Sequence, residues 1–182
     1  MRPALLAIFA CTFAATGCGA THDDQRKATR SSPLAQAQAT HEYPSPPSPP
    51  QIAAGAAAAP TEAIRAFATA YINWDARTVA ADMRALAAAT VGQARAAMIL
   101  AAAETAGDYE LQRGGIANHG TVEAIAPLPS RPREFIVVTL ESTTATNTSA
   151  YQELRPAWHV ALATVAEQPP DGWVLSGWQP EN

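Results

Sequence analysis

The pair Gly114-Gly115 divides the C-terminal two thirds of the chain into two stretches of different periodicity. Before it, apolar residues recur every three to four positions; after it, they alternate. Ile64, Phe67, Ala68, Tyr71 and Ile72 fall at i, i+3, i+4, i+7 and i+8, one helical stripe opening at Pro60, a residue suited to a first helical turn. Trp74 stands at its end and Asp75 caps the next helix. Val79, Met83 and Leu86 repeat the pattern, and a third helix runs from about Gln93 to Gln112 through Ala94, Met98, Ala101, Thr105 and Leu111. The glycine pair ends it, because glycine tolerates the left-handed turn after a helix.

Beyond the glycines, Thr121 to Ala126 reads as a modest strand stopped by Pro127 and Pro129. Residues 134 to 141, EFIVVTLE, are the strongest strand, β-branched and aromatic. Thr143 to Ser149 reads as a polar turn, with His119 in another. Ala157 to Val165 is a second long strand; Pro169-Pro170-Asp171-Gly172 turns the chain, and Trp173 to Trp178 returns. Short turns between consecutive strands make them antiparallel neighbours. The expected fold is therefore α+β: N-terminal helices packed on one face of a four-stranded antiparallel sheet.

Alternation assigns the faces. Ile136, Val138 and Leu140 point one way, Phe135 and Val137 the other. Trp173 and Trp178 are five apart and fall on opposite faces unless Gly177 marks a bulge. Phe135, Val137 and one of these tryptophans are left over for the face away from the helices. A protein partner, or self-association, is expected there, since exposed aromatics dominate binding hot spots.

The N-terminus carries a different message. Met1-Arg2 is followed by an apolar stretch from Ala4 to Ala15, too short to span a bilayer. With the small residues after it, this is the layout of a secretory signal. Ala15-Thr16-Gly17-Cys18 resembles the lipobox of bacterial lipoproteins, departing from the commonest pattern at Ala15, where leucine is usual. The resemblance implies diacylglycerol on Cys18, cleavage after Gly17 and acylation of the new terminus. The chain is expected at the extracytoplasmic face of the cell membrane, anchored through Cys18. Residues 1–17 are then signal, 18–59 the lipidated cysteine and a Pro/Ala-rich disordered tether, and 60–182 one domain. The tether contains YPSPPSPP at residues 43–50, extended and semi-rigid by composition. Cleavage removes Cys11 and leaves a single cysteine, so no intramolecular disulfide is available.

The helix FATAYINW (67–74), the strand GTVEAI (120–125) and the closing GWVLSGWQP (172–180) resemble the nuclear-transport-factor-2-like superfamily, also called SnoaL-like or cystatin-like. The nearer resemblance is to small secreted actinobacterial members and to TcpC-type conjugal-transfer scaffold domains. It covers about residues 60 to 180 and implies a helix-and-sheet cone. In the superfamily's enzymes that cone holds a tyrosine and one or two carboxylates. Tyr71 matches on the first helix and Asp82 is a second candidate. No deep carboxylate is legible: Glu141 is read as ending its strand and Glu123 lies in the weak one. Catalysis is not expected.

His159, beside Trp158 in a strand, has only His119 for company in the domain and no cysteine set, so neither a metal nor a cofactor is expected. Residues 60–182 carry 8 Arg against 13 Asp and Glu, which excludes a nucleic-acid surface. Candidate binding or pocket residues are Tyr71, Trp158, His159, Trp173 and Trp178. The reading is a lipid-anchored protein whose domain acts non-catalytically in protein interaction, in an envelope or conjugal-transfer complex. The alternative is a small-molecule binder or SnoaL-like proton-transfer enzyme using the cone.

Overall fold

A computed structural model describes residues 49–149, 151, 154–170 and 172–181. The expected signal peptide, Cys18 and most of the expected tether lie outside them. The chain from Pro49 to Asn182 forms one compact unit.

Four helices precede the long strands of a five-stranded sheet. Helix α1 (Pro60–Ile72) starts on its proline and buries Ile64, Phe67, Ala68 and Ile72. Strand β1 is only Trp74–Asp75. The Asp75 carboxylate accepts from the backbone N–H groups of Arg77 (2.7 Å) and Thr78 (3.2 Å), turning the chain into α2 (Val79–Ala88). Helix α3 (Gly92–Ala106) buries Ala94, Met98 and Ala102. The expected third helix breaks after Gly107. Asp108 caps a new one, α4 (Tyr109–Gly114), by accepting from the Leu111 N–H at 2.8 Å. Gly115, at φ +60°, supplies the left-handed end.

Strands β2 (Ile116–Leu128), β3 (Arg131–Ala145), β4 (Ala157–Gln168) and β5 (Gly172–Glu181) form an antiparallel meander in the order β1-β2-β3-β4-β5. The α+β class and the helices on one face are as expected; the sheet has five strands, not four. Two residues are too few for a period-two pattern, so β1 leaves no trace in the alternation. It exists because Trp74 and Asp75 pair with Asn118 and Ala117. His119 is in β2 opposite Ser142, and Thr143–Ala145 extend β3 where a turn was expected.

The helices cover the sheet face carrying Phe135, Val137 and Thr139 of β3, Ala161, Ala163 and Val165 of β4, and Leu175 and Trp178 of β5. Completely buried Ile64, Ile72, Val137, Val165 and Leu175 each contribute about 1.5–3 kcal/mol. The face assignment from sequence is therefore reversed. Phe135 and Val137 are core, and Ile136, Val138 and Leu140 point away from the helices. Strict alternation also fails in β5. Thr164 pairs with Gly177 and Val165 with Leu175, leaving Ser176 as an unpaired extra residue. That bulge returns Trp178 to the same side as Trp173, so neither is left for the outer face.

Residues 51–57 are a strap bonded to the domain rather than part of a free tether. The Ala57 N–H donates to the Trp173 carbonyl (2.9 Å) and the Trp173 N–H to that of Ala57 (2.8 Å). Ala54 donates to the Ala88 carbonyl (2.8 Å), and Ala53 to Gln168 Oε1 (2.8 Å). Its partners lie 34 residues or more along the chain, beyond the reach of composition.

On each sheet margin one residue is paired by a side-chain amide. Asn73 accepts from the Gly120 N–H and donates to its carbonyl, both at 3.1 Å, on the outer edge of β2. Gln93 accepts from the Trp178 N–H (2.8 Å) and donates to its carbonyl (3.3 Å) on the outer edge of β5. Each carboxamide imitates one residue of a neighbouring strand.

Candidate functional site

The helix-covered face holds a polar cluster beside an aromatic one. Phe67 and Tyr71 project one turn apart from α1 and stack, ring centroids 5.8 Å apart. Trp178 meets both, at 5.1 Å from Phe67 and 5.4 Å from Tyr71. Small Ala163, opposite Trp178 on β4, leaves room for this trio, which fills the middle of the cone.

Next to it stands Glu141. It is inside β3, four residues before the strand ends, and half-buried. One oxygen accepts from the Thr139 hydroxyl at 2.6 Å, the other from Asn118 Nδ2 at 2.8 Å. Asn118, itself buried, also donates to the Ile72 carbonyl (2.8 Å) at the end of α1 and accepts from the Thr143 hydroxyl (3.0 Å). The cluster ties the end of α1 to β2 and β3.

Burial pushes the Tyr71 hydroxyl above the ordinary tyrosine pKa. The nearby Trp178 indole N–H pulls the other way, and the Glu141 charge adds to the rise. That indole nitrogen is buried and meets no acceptor at hydrogen-bonding geometry. A raised pKa keeps Tyr71 a neutral phenol at physiological pH. Sequence reasoning misses Glu141 because the polar run 142–146 has the composition of a turn; Thr139, Glu141 and Thr143, alternating on one face, are the available signal.

The opposite face is different in kind. Three cross-strand pairs lie side by side on β3 and β4: Leu140 with Trp158, Val138 with Val160, and Ile136 with Leu162. Trp158 is 64% exposed, Val160 40% and Ile136 38%. Ala124 and Ala126 of β2 extend the apolar surface on one side. Gln179 and Glu181 of β5 border it on the other, and Glu134 with Arg131 at one end. Helices cover the inner face, and these side chains stand on the other.

The candidates thus separate. Tyr71 and Trp178 meet in the cone. Trp158 sits on the outer face. His159, the next residue, is exposed on the helix side of β4 opposite Thr139. Trp173 is half-buried beside the strap. Asp82 lies in the first turn of α2, where a carboxylate complements the helix N-terminus. Glu123 is exposed and accepts from the Thr121 hydroxyl. Among the described residues no three His, Cys, Asp or Glu side chains group to hold a metal, and no helix is long and apolar enough to cross a membrane.

No family model matches the chain, and no curated protein matches it. Among solved structures it is similar to the one described as the structure of Agrobacterium tumefaciens VirB8 protein. The TM-score is 0.48 at 10% identity, over 66% of this chain and 88% of that one.

Proposed function

We propose that the chain is an extracytoplasmic lipoprotein, anchored through Cys18. In this reading its domain, nuclear-transport-factor-2-like in its order of helices and sheet, is a non-catalytic interaction module of an envelope or conjugal-transfer complex. The observation that carries the interaction role is the outer sheet face. Three adjacent apolar pairs, one containing a tryptophan 64% exposed, form a contiguous patch of the kind that marks a protein contact. Glu181 stands at its margin as an exposed carboxylate, while Glu134 at one end is ion-paired with Arg131 at 2.9 Å. The partner that fits is an apolar surface flanked by arginine or lysine.

A photo-crosslinking side chain at Val160, in the native cell envelope, tests this. One adduct of defined mass is expected, lost in Val138→Asp and absent when the probe is moved to Arg84. Adducts of equal yield from both positions, or none from Val160, would overturn it. An adduct with a second copy would replace the heterologous partner by a homodimer.

The rival reading is a proton-transfer enzyme, and Glu141 beside Tyr71 is the observation in its favour. Two features weigh against it. Both Glu141 oxygens already accept hydrogen bonds, and three aromatic rings occupy the space a substrate would need. Isomerase or dehydratase turnover abolished by Tyr71→Phe would establish the rival.

A further inference from the structure

The strap passes beside a cleft that neither sheet face accounts for. Buried Phe67, Leu86 and Leu175 line it together with Trp173 and, from α1, Ala63 and Ala66. Strap residues Ala54 to Ala57 form another wall, and the space is about 290 Å³. The one polar side chain in it, Thr90, has its hydroxyl engaged with the carbonyls of Leu86 (2.9 Å) and Ala87 (3.3 Å). No charged group lines the cleft. The strap is hydrogen-bonded at Ala54 and at Ala57, while Gly55 between them takes φ +88°, a conformation that favours glycine. A Cβ there would touch nothing, so the glycine serves the chain's path beside the cleft rather than close packing.

Alanines lie where larger apolar residues would close the gap against the core. A space of this size is about twice the roughly 150 Å³ cavity that accepts benzene, so it suits a group of about ten carbons. We propose that the cleft is a binding site for an uncharged alkyl chain of about that length, held between the strap and the aromatic core. The cleft is separate from the outer sheet face, and its occupant does not depend on what that face binds.

Calorimetric titration of the whole protein with a series of primary alcohols tests it. Affinity is expected to rise about fourfold per methylene and to level off near decanol, where the space is full. Decanoate should bind at least tenfold more weakly than decanol, because the lining offers no countercharge. Ala66→Leu, and separately Ala63→Leu, should each weaken decanol at least tenfold without loss of helical circular dichroism. Trp158→Ser on the outer face should leave it unchanged. Amide exchange at Ala54 and Ala57 should slow with decanol bound, which serves even if a filling variant fails to fold. Affinity that keeps rising through tetradecanol, or indifference to both leucines with exchange at Ala54 and Ala57 unaltered, would overturn the site. A cleft that admits only the side chain of a partner protein would bind no alcohol, which also refutes it.

Discussion

Glu141 is the residue on which the inner face turns. Glu141→Ala removes an acceptor from the hydroxyl of Thr139, a side chain only 4% exposed, and from Asn118. Leaving a buried donor unmet costs about 1–3 kcal/mol, so the urea midpoint should fall accordingly with an unchanged m-value. Tyr71→Phe should cost under about 1 kcal/mol, since the phenol is desolvated without a full hydrogen bond of its own. Tyr71 also has a pH signature. Its folded-state pKa lies above the usual value, so the unfolded chain ionises first. Stability from this residue is complete below about pH 10 and declines as pH rises past that point. Urea melts from pH 8 to 11 should show that decline in the native protein and a flatter profile in Tyr71→Phe. Tyr71 is legible from its helical spacing. Its partner is not, because a carboxylate in a strand looks the same in sequence whether it ends the strand or is buried inside it.

At the level of elements, sequence periodicity locates every long helix and strand. What it cannot see are features made by contacts far along the chain. Strand β1 exists through Asn118, the strap through Trp173 and Gln168, and the β5 bulge through the register with β4. A bulge near Gly177 is the one exception that alternation leaves open; it falls at the neighbouring Ser176, and its presence decides which face the tryptophans occupy. The carboxamide clamps belong here too. Asn73→Ala and Gln93→Ala each strip an N–H and a C=O of their partner, and each should lower stability by about 1–2 kcal/mol. Gly120 marks how closely α1 approaches β2. A Cβ there would lie 2.8 Å from the Leu140 carbonyl oxygen and 3.0 Å from Ile72 Cδ1. Gly120→Val should therefore destabilise more than either clamp variant, as read by thermal melting.

For the whole molecule, the described domain begins at Pro49. If Cys18 carries the proposed lipid, about 30 residues separate the membrane from the strap, fewer than composition suggests. Diacylglycerol supplies the two chains that stable anchoring takes. Cys18→Ala should therefore release the protein from the membrane fraction or leave it uncleaved, with the domain's melting temperature unchanged. Mass spectrometry of the mature N-terminus checks this, and an unmodified Cys18 there would end the lipoprotein reading. The sheet margins bear on stoichiometry. Strand-to-strand pairing leaves a fresh margin after each addition and can propagate into fibres, whereas a contact through one flat face is used up when it forms. Asn73 occupies one residue of one margin and Gln93 one residue of the other, so strand addition at either point would have to displace a carboxamide. If the outer face makes the contact proposed for it, that contact is used once per domain.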